Sequence, residues 1–216
     1  MILNLIGNAK FGAEQILRIY HGKNVIWSKI PNDYTECEYL ESDAQSYIET
    51  DIVPRLGLWL EIKCDISSLN TGTLISAEQN SGASLVIVPV GKYFYAKYFT
   101  EESVNGIVLN SDQAKIVVVT FSGGEGKYEI LLGDGTIKTN TEEVAKTKAQ
   151  TSASLWLFKR QKYTSMGKAK IYYVRSPDFF LIPCLDASKT PCFYDAIGLK
   201  TYYNSGTGSF SYKIKE

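Results

Sequence analysis

The sequence predicts an all-β protein, folded as an antiparallel sandwich or barrel. The clearest evidence lies in residues 168–210, where four short runs rich in β-branched and aromatic residues are separated by turn residues. Short strands at this spacing, with no helical pattern between them, are typical of antiparallel sandwiches and barrels. The composition agrees, because 15 Tyr, 9 Phe and 3 Trp in 216 residues favour strands over helices.

The N-terminal residues predict a small β-hairpin that is separate from the rest of the chain. Residues 15–20 and 25–27 flank a glycine-containing turn at residues 21–24, and a Pro-Asn-Asp linker follows. Because a lone hairpin is only marginally stable in water, we expect this one to lie on a partner surface. The chain is therefore expected to have two parts, a hairpin module at residues 1–30 and a larger domain at residues 31–216.

Two central stretches show the alternation of a strand with one buried face. Residues 58–65 place four side chains on each face: Leu58, Leu60, Ile62 and Cys64 on the apolar one, and Trp59, Glu61, Lys63 and Asp65 on the other. Residues 92–99 divide in the same way: Tyr93, Tyr95 and Lys97 on one face, and Phe94, Ala96 and Tyr98 on the other. Further strands are expected at residues 37–40, 47–52, 73–77, 84–90, 115–121, 127–132, 136–139 and 153–158.

Charge and composition argue against several classes of function. Lysine plus arginine and aspartate plus glutamate balance at 23 each, so the charge does not indicate nucleic acid or an anionic membrane as a partner. No apolar run is long enough for a transmembrane helix, and the first residues lack a signal-peptide pattern, so we expect a soluble protein. With one histidine and no Cys-x-x-Cys pair, we expect no metal site and no cofactor.

The four cysteines, Cys37, Cys64, Cys184 and Cys192, are too few for a disulfide scaffold in a chain of this length. Cys184 and Cys192 flank a short loop and could face each other across a hairpin, where a disulfide is one alternative. Small buried thiols are the favoured interpretation, because nothing in the sequence indicates export to an oxidising compartment. We therefore expect four free thiols.

Three glutamates in and directly beside one predicted strand raise the possibility of catalysis. Glu36, Glu38 and Glu41 are similar to the Glu-x-Asp-x-x-Glu strand of laminarinase-type glycosidases, in which two carboxylates serve as nucleophile and general acid. Here the middle residue is Glu rather than Asp, and a solvated strand face explains the charges at least as well. We therefore expect no enzymatic activity, and a glycosidase is the distant alternative.

Two blocks of sequence together resemble a known family. The first is residues 38–54, Glu-Tyr-Leu-Glu-Ser-Asp-Ala-Gln-Ser-Tyr-Ile-Glu-Thr-Asp-Ile-Val-Pro, and the second runs from Lys170-Ile-Tyr-Tyr to Asn204-Ser-Gly-Thr-Gly-Ser-Phe. The combination is similar to the opening and closing strands of a concanavalin A-like, laminin G-like jelly-roll family, which occurs in virion proteins of tailed phages and surface proteins of gut bacteria. The resemblance covers residues 34–212 and implies a two-sheet jelly-roll sandwich. The hairpin residues 18–27 separately resemble short modules that open phage tail and head-attached proteins.

The resemblance also implies a function. It indicates a non-enzymatic phage virion protein of the tail, baseplate or head fibre, made in the host cytoplasm. Its expected partners are other virion proteins, contacted through residues 1–30, and further copies of itself, with a trimer as one possibility. We expect the jelly-roll domain to bind carbohydrate on the host surface, and a structural decoration role without a ligand is the chief alternative.

Candidate binding residues follow from how sandwiches hold sugars. Such sites usually stack a sugar ring on an exposed aromatic side chain, with polar groups beside it to fix its orientation. Trp59 is the first candidate, because the alternation places it on the same face as Glu61 and Lys63. Tyr93 and Tyr95 are the second candidate. The alternative for each is an aromatic side chain that is covered by a loop or by a neighbouring subunit.

Overall fold

The computed structural model describes residues 10–11, 14–15, 18–21, 24–28, 30–65, 72–78, 84–90, 93–100, 104–109, 116–121, 128–140, 150–161, 164 and 166–216. Within these ranges there is no helix, and every strand pairing is antiparallel. In chain order the strands are β1 (Lys10–Phe11), β2 (Glu14–Gln15), β3 (Arg18–His21), β4 (Asn24–Ser28), β5 (Thr35–Glu41), β6 (Ile48–Glu49), β7 (Leu60–Asp65), β8 (Ile75–Glu78), β9 (Ser84–Val90), β10 (Tyr93–Thr100), β11 (Val104–Val108), β12 (Ile116–Phe121), β13 (Tyr128–Leu131), β14 (Ile137–Thr139), β15 (Trp156–Leu157), β16 (Lys170–Arg175), β17 (Phe180–Leu185), β18 (Pro191–Asp195), β19 (Lys200–Tyr203) and β20 (Ser211–Ile214).

Two large antiparallel sheets make up the body of the protein. Among the described strands, the smaller sheet has the order β11-β10-β9-β8-β15-β6. The larger sheet has the order β14-β13-β12-β7-β16-β5-β17-β18-β19, and β20 also pairs with β5. Both sheets combine strands that are distant in the chain, since β6 lies beside β15 and β7 lies between β12 and β16. The predicted all-β, antiparallel fold class is confirmed.

The four N-terminal strands form two further pairs. β1 pairs with β2, and β3 pairs with β4, and each pair is a two-stranded sheet of its own. The other residues of the predicted 1–30 module, apart from Ile30, lie outside the described residues. The side chains of residues 1–29 are likewise outside the described part of the structure.

The facing surfaces of the two large sheets share one hydrophobic core. Ile62 and Val119 enter it from the larger sheet, and Ile87 and Phe94 enter it from the smaller one. The Tyr128 hydroxyl of the larger sheet donates a hydrogen bond of 3.0 Å to the Phe94 carbonyl oxygen of the smaller sheet. Burial of apolar surface in such a core is the main contribution that favours folding. The two sheets therefore pack face to face, as in a β-sandwich.

The alternation predicted for the two central stretches is confirmed. The inward side chains are buried: Leu58, Leu60, Ile62 and Cys64 in and before β7, and Phe94 and Ala96 in β10. The others are half-buried or exposed: Trp59, Glu61, Lys63, Asp65, Tyr93, Tyr95 and Lys97. The side chain of Tyr98 lies outside the described part of the chain. Because the inward set contacts the shared core, the second set points away from the partner sheet.

A contact between two loops joins parts of the chain that are about 160 residues apart in sequence. The Asp43 carboxylate, in the loop of residues 42–47, accepts a hydrogen bond of 2.8 Å from the Ser46 N–H. It accepts another of 2.9 Å from the N–H of Ser209, in the loop of residues 204–209. One charged side chain therefore organises its own loop and holds the second loop against it.

Asn204 strengthens the same contact from the other side. Its Oδ1 accepts a hydrogen bond of 3.2 Å from the Tyr47 N–H, and its Nδ2 donates one of 2.6 Å to the Gly208 carbonyl oxygen. The backbones approach so closely that a Cβ on Gly206 would lie 2.0 Å from the Gln45 carbonyl oxygen. The Asn-Ser-Gly-Thr-Gly run is therefore explained by packing, because only glycine fits where the loops meet.

A second, smaller hydrophobic cluster lies on the outer side of the larger sheet. It contains Ile182, Cys184, Cys192, Tyr194 and Ala196, with Ile30, Tyr34 and Phe180 packed against it. The alternate residues of the same strands, Leu181 and Phe193, enter the main core instead. The predicted linker is therefore held on the sandwich, because Ile30 and Tyr34 flank it and both contact this cluster.

Candidate functional site

The outward face of the smaller sheet carries the second pair of predicted site residues. Tyr93 and Tyr95 lie on β10 with their ring centroids 5.9 Å apart, and Tyr93 is 38% exposed. Both rings point away from the core, since Phe94 between them is fully buried. Lys97 follows on the same face and is half-buried. The strand thus presents two tyrosines and an ammonium group outward.

A second aromatic pair lies on the same face of the same sheet. The rings of Tyr47 and Trp156 are stacked, with centroids 5.4 Å apart and an interplanar angle of 22°. The Lys159 Nζ lies 4.1 Å from the Tyr47 centroid and 5.3 Å from the Trp156 centroid, so the ammonium group lies beside both rings. Glu49 is the cross-strand partner of Trp156 and is exposed. Aromatic, cationic and anionic groups therefore meet at one point of the surface.

Local sequence explains why this pair faces outward. Leu155 and Leu157, on either side of Trp156, are both fully buried in the core, so alternation directs Trp156 to the opposite face. Ile48 is likewise buried, which directs Tyr47 outward. The Trp156 Nε1 donates a hydrogen bond of 3.2 Å to the Ser154 hydroxyl, and this bond helps to fix the orientation of the indole ring.

A polar ridge lies between the two aromatic pairs. It covers β8, which separates β15 from β9 and β10, and its base is Glu78. The Arg160 guanidinium donates two hydrogen bonds of 2.7 Å to the Glu78 carboxylate, whose side chain is almost completely buried. The Ser76 hydroxyl donates one of 2.7 Å to the Lys159 carbonyl oxygen. Residues 159–161 are therefore fixed over β8, and Glu78 lies at the end of this strand that is farther from Tyr93 and Tyr95.

The first predicted group, Trp59, Glu61 and Lys63, lies on the outward face of the larger sheet. The structure does not bring it together with Tyr93 and Tyr95, because the two outward faces are on opposite sides of the sandwich. Trp59 is half-buried and directly precedes β7. The sequence therefore predicted two separate candidate surfaces.

The polar groups around Trp59 are engaged with one another. The Glu61 carboxylate accepts a hydrogen bond of 2.6 Å from the Tyr173 hydroxyl and forms an ion pair of 2.7 Å with Arg175. Burial, followed by the hydrogen bond to Glu61, raises the pKa of Tyr173 above its ordinary range. The Lys63 ammonium lies 5.1 Å from the centroid of the Tyr172 ring.

The same pattern continues along β16. Lys170 pairs with Asp65 at 3.8 Å, and its ammonium lies 4.9 Å from the centroid of the Tyr39 ring. Tyr39 in turn makes an edge contact with Tyr172 at 5.6 Å between centroids. Burial, and then the nearby Asp65 and Glu38 carboxylates, raise the pKa of Tyr172 to about 12. This face is thus a network of mutually bonded side chains.

The three glutamates of β5 are paired with groups on and next to β20. Glu38 forms an ion pair of 2.7 Å with Lys213, and Glu36 forms one with Lys215. The Glu41 carboxylate accepts a hydrogen bond of 3.2 Å from the Ser211 hydroxyl. These contacts form a charged ladder between neighbouring strands, which is how a solvated strand face is usually stabilised.

Tyr47 and Trp156 are the aromatic residues that sequence reasoning missed at this surface. The signal for Trp156 was present, because it stands between two leucines just as Trp59 stands between Leu58 and Leu60. Its pairing with Tyr47 was not visible, since it depends on β15 lying beside β6, and these strands are far apart in the chain.

Within the described ranges, no group of three or more His, Cys, Asp or Glu side chains is placed to hold a metal ion. No helix long and apolar enough to cross a membrane occurs there either. Compared with known proteins, the sequence matches no family model and no curated protein.

Proposed function

We propose that this chain is a non-enzymatic virion protein of a tailed phage. Its larger domain, residues 31–216, is proposed to be a jelly roll that binds carbohydrate on the host surface. The proposal rests on the family resemblance of residues 34–212 and places the glycan on the outward face of the smaller sheet. The observation that carries it is the presence of two aromatic pairs on that face, Tyr47 with Trp156 and Tyr93 with Tyr95.

The smaller sheet is favoured over the Trp59 surface because of what surrounds each set of aromatic rings. Around Trp59, the Glu61 carboxylate already binds Tyr173 and Arg175, and a ligand would have to displace those bonds. Beside Trp156, an ammonium group and an exposed carboxylate lie next to the rings at the surface. That combination matches a site in which aromatic rings supply contact area and polar groups fix orientation.

In the proposed site, the sugar is bound by noncovalent contacts alone. The apolar C–H face of a sugar ring packs on the indole or phenol ring, while its hydroxyls exchange hydrogen bonds with Lys159 and Glu49. Adjacent strands are about 4.8 Å apart, and Tyr95 lies two residues along β10 from Lys97, which is level with Trp156. Tyr95 and Trp156 are therefore about 16 Å apart. Sites at this separation suit an extended saccharide chain better than a single sugar.

The experiment that tests this function is a screen of the purified protein against cell-wall and capsular polysaccharides of host bacteria. We expect saturable binding to at least one glycan and inhibition by soluble fragments of the same glycan. If no polysaccharide binds and the protein does not adsorb to host cells, the carbohydrate-binding proposal is wrong.

A structural decoration role is the second candidate, and one observation favours it. Ile116, Leu131 and Ile137 are exposed on the outward face of the larger sheet, at the end formed by β12 to β14. Apolar residues grouped in this way often mark contacts with other proteins. In that case the chain would bind other virion proteins through this end of the sheet and through residues 1–30, and glycans would not bind.

The glycosidase alternative has its own test. Glu36, Glu38 and Glu41 each bind a group on or next to β20. We therefore expect that Glu36→Gln leaves glycan binding unchanged, and that neither the wild type nor this variant hydrolyses the glycan. Hydrolysis is measured as the release of reducing ends from any polysaccharide that binds. Hydrolysis by the wild type that is lost in Glu36→Gln would show that the chain is an enzyme.

A further inference from the structure

The cysteine pair of the outer hydrophobic cluster has the geometry of a site for covalent modification. Cys184 and Cys192 are directly opposite each other in β17 and β18, and their Sγ atoms are 3.5 Å apart. Opposite residues in antiparallel strands have Cα atoms about 4.5–5.5 Å apart, which lies within the range that a disulfide spans. The two thiols can therefore be joined by side-chain movement alone.

A short segment packs on the cluster that contains this pair. Both cysteines are 0% exposed, and Ile30 and Tyr34 pack against the cluster that contains them, together with Phe180 of β17. The Tyr34 ring makes an edge contact with Tyr194 at 5.8 Å between centroids, and its hydroxyl forms a hydrogen bond of 3.0 Å with the Thr201 hydroxyl. We call residues 30–34 the cover segment.

The cover segment is held through the Tyr34 side chain, whose hydroxyl also interacts with the Tyr203 hydroxyl. It contains a turn in which the Tyr34 N–H donates a hydrogen bond of 3.0 Å to the Pro31 carbonyl oxygen. Its neighbours Asn32 and Asp33 are exposed. Residues 30–34 belong to no strand of either large sheet, and such a segment opens more readily than the sheets beneath it.

The geometry points to Cys184 and Cys192 as a redox-modification site that is oxidised to a cross-strand disulfide by a low-molecular-weight disulfide when the cover segment lifts. In the first step, the thiolate of one cysteine attacks the reagent, forms a mixed disulfide and releases one thiol. In the second step, the other cysteine attacks the mixed disulfide at the protein sulfur and releases the second thiol. Two protein S–H bonds are replaced by one S–S bond, and the reagent disulfide is reduced to two thiols.

While the cover segment is in place, we expect the two thiols to react slowly with disulfides. The hydrogen bond with Cys192, and then burial, raise the pKa of the Cys184 thiol well above its ordinary range. Only the thiolate attacks disulfides, so a covered pair should react slowly. Opening of the cover segment would bring water to both sulfurs and restore ordinary reactivity.

Cys64 supplies an internal control. It is fully buried in the main core, away from the cover segment, and burial raises the pKa of its thiol as well. Its reaction with an alkylating reagent therefore reports unfolding of the whole sandwich. Oxidation of the Cys184–Cys192 pair while Cys64 stays unmodified would show that only the cover segment has opened.

The test compares the full-length wild type with Tyr34→Ala during incubation with oxidised glutathione, and disulfides are mapped by peptide mass. Removing the Tyr34 ring should accelerate formation of the Cys184–Cys192 disulfide about tenfold or more, with Cys64 unmodified. Tyr39→Ala is the matched control, because it removes a half-buried tyrosine of β5 that contacts Tyr172 instead. Its rate should equal that of the wild type.

Three results would overturn the inference: equal rates in Tyr34→Ala and the wild type, a disulfide that contains Cys37, or oxidation only together with Cys64. If Tyr34→Ala does not fold, Ile30→Ala takes its place, because Ile30 packs against the same cluster. An unchanged oxidation rate in that variant would equally contradict a gating role for the cover segment.

Discussion

At the scale of single residues, Asp43 shows how one side chain fixes a long-range contact. Its carboxylate accepts hydrogen bonds from the N–H groups of Gln45, Ser46 and Ser209, although it lies at the surface. Desolvation opposes ionisation, but these hydrogen bonds outweigh it and lower the pKa of Asp43 to about 2. The ionised form is therefore the one that the folded state prefers.

This pKa predicts a specific loss of stability in acid. A carboxyl group with a lowered pKa in the folded state contributes stability above its ordinary pKa of 3.8, and the contribution is lost as the pH falls towards 2. We expect the free energy of unfolding to fall between about pH 4 and pH 2, and Asp43→Asn should make this fall smaller. At pH 7 the variant should be less stable by about 1–2 kcal/mol, the loss of hydrogen bonds to a solvated charge.

Denaturant unfolding at a series of pH values measures this effect. Asp134→Asn is the matched control, because the hydrogen bond of 2.8 Å that Asp134 accepts comes from the Thr136 N–H, within its own turn. If the two variants have the same stability at pH 7, Asp43 does not hold the two loops together.

At the scale of elements, the contact between residues 42–47 and 204–209 explains why the second of these loops contains two glycines. A Cβ on Gly206 would lie 2.0 Å from a backbone oxygen, and one on Gly208 would lie 2.3 Å from the Asp43 carboxylate. The first clash involves backbone and cannot be relieved by turning a side chain. Glycine is therefore required by the close approach of two chain segments.

Gly206→Ala should destabilise the protein by about 2–4 kcal/mol, since one of the two loops must move and the hydrogen bonds between them weaken. Gly133→Ala is the matched control, because a Cβ there would meet only the Ile116 carbonyl oxygen at an ordinary 3.6 Å. Thermal unfolding of the two variants checks this prediction, and equal melting temperatures would show that the loops are not tightly packed.

Individual strands were the part of the structure that sequence predicted best. The alternation in β7 and β10 identified which side chains enter the core, because each pattern is complete within one strand. The strand expected at residues 47–52 is only Ile48–Glu49 in the structure. Tyr47 instead bonds the 204–209 loop, where its carbonyl oxygen accepts a hydrogen bond of 2.8 Å from the Ser205 N–H. The start of this strand is therefore determined by a segment far away in the chain, and the local sequence cannot predict it.

At the scale of the whole molecule, the two outward faces of the sandwich differ in chemistry. On the larger sheet, residues such as Glu61 and Arg175 form a network of mutual bonds. On the smaller sheet, Trp156 and Tyr93 mark aromatic pairs on either side of a polar ridge. Sequence predicted both faces as candidates but could not rank them, because the partners of Glu61 come from β16 and those of Trp156 lie in β6 and directly before it.

The N-terminal boundary gives a prediction at the same scale. Deleting residues 1–29 should leave cooperative unfolding intact, since Ile30 and Tyr34 remain to cover the outer cluster. Deleting residues 1–34 should lower the melting temperature by a further few degrees, because it uncovers Tyr194 and its apolar neighbours. Calorimetry of both truncated proteins measures the difference. Loss of cooperative unfolding on deleting residues 1–29 would mean that the N-terminal strands belong to the core of the sandwich.

The most direct test of the proposed function compares one tryptophan on each face of the sandwich. Trp156→Ala and Trp59→Ala are measured for binding to the same host polysaccharide, or to host cells, with melting temperature as the check on folding. Carbohydrate binding by the smaller sheet predicts that Trp156→Ala weakens binding about tenfold or more, while Trp59→Ala leaves it unchanged. Equal binding by Trp156→Ala and the wild type, or a loss in Trp59→Ala alone, would contradict it.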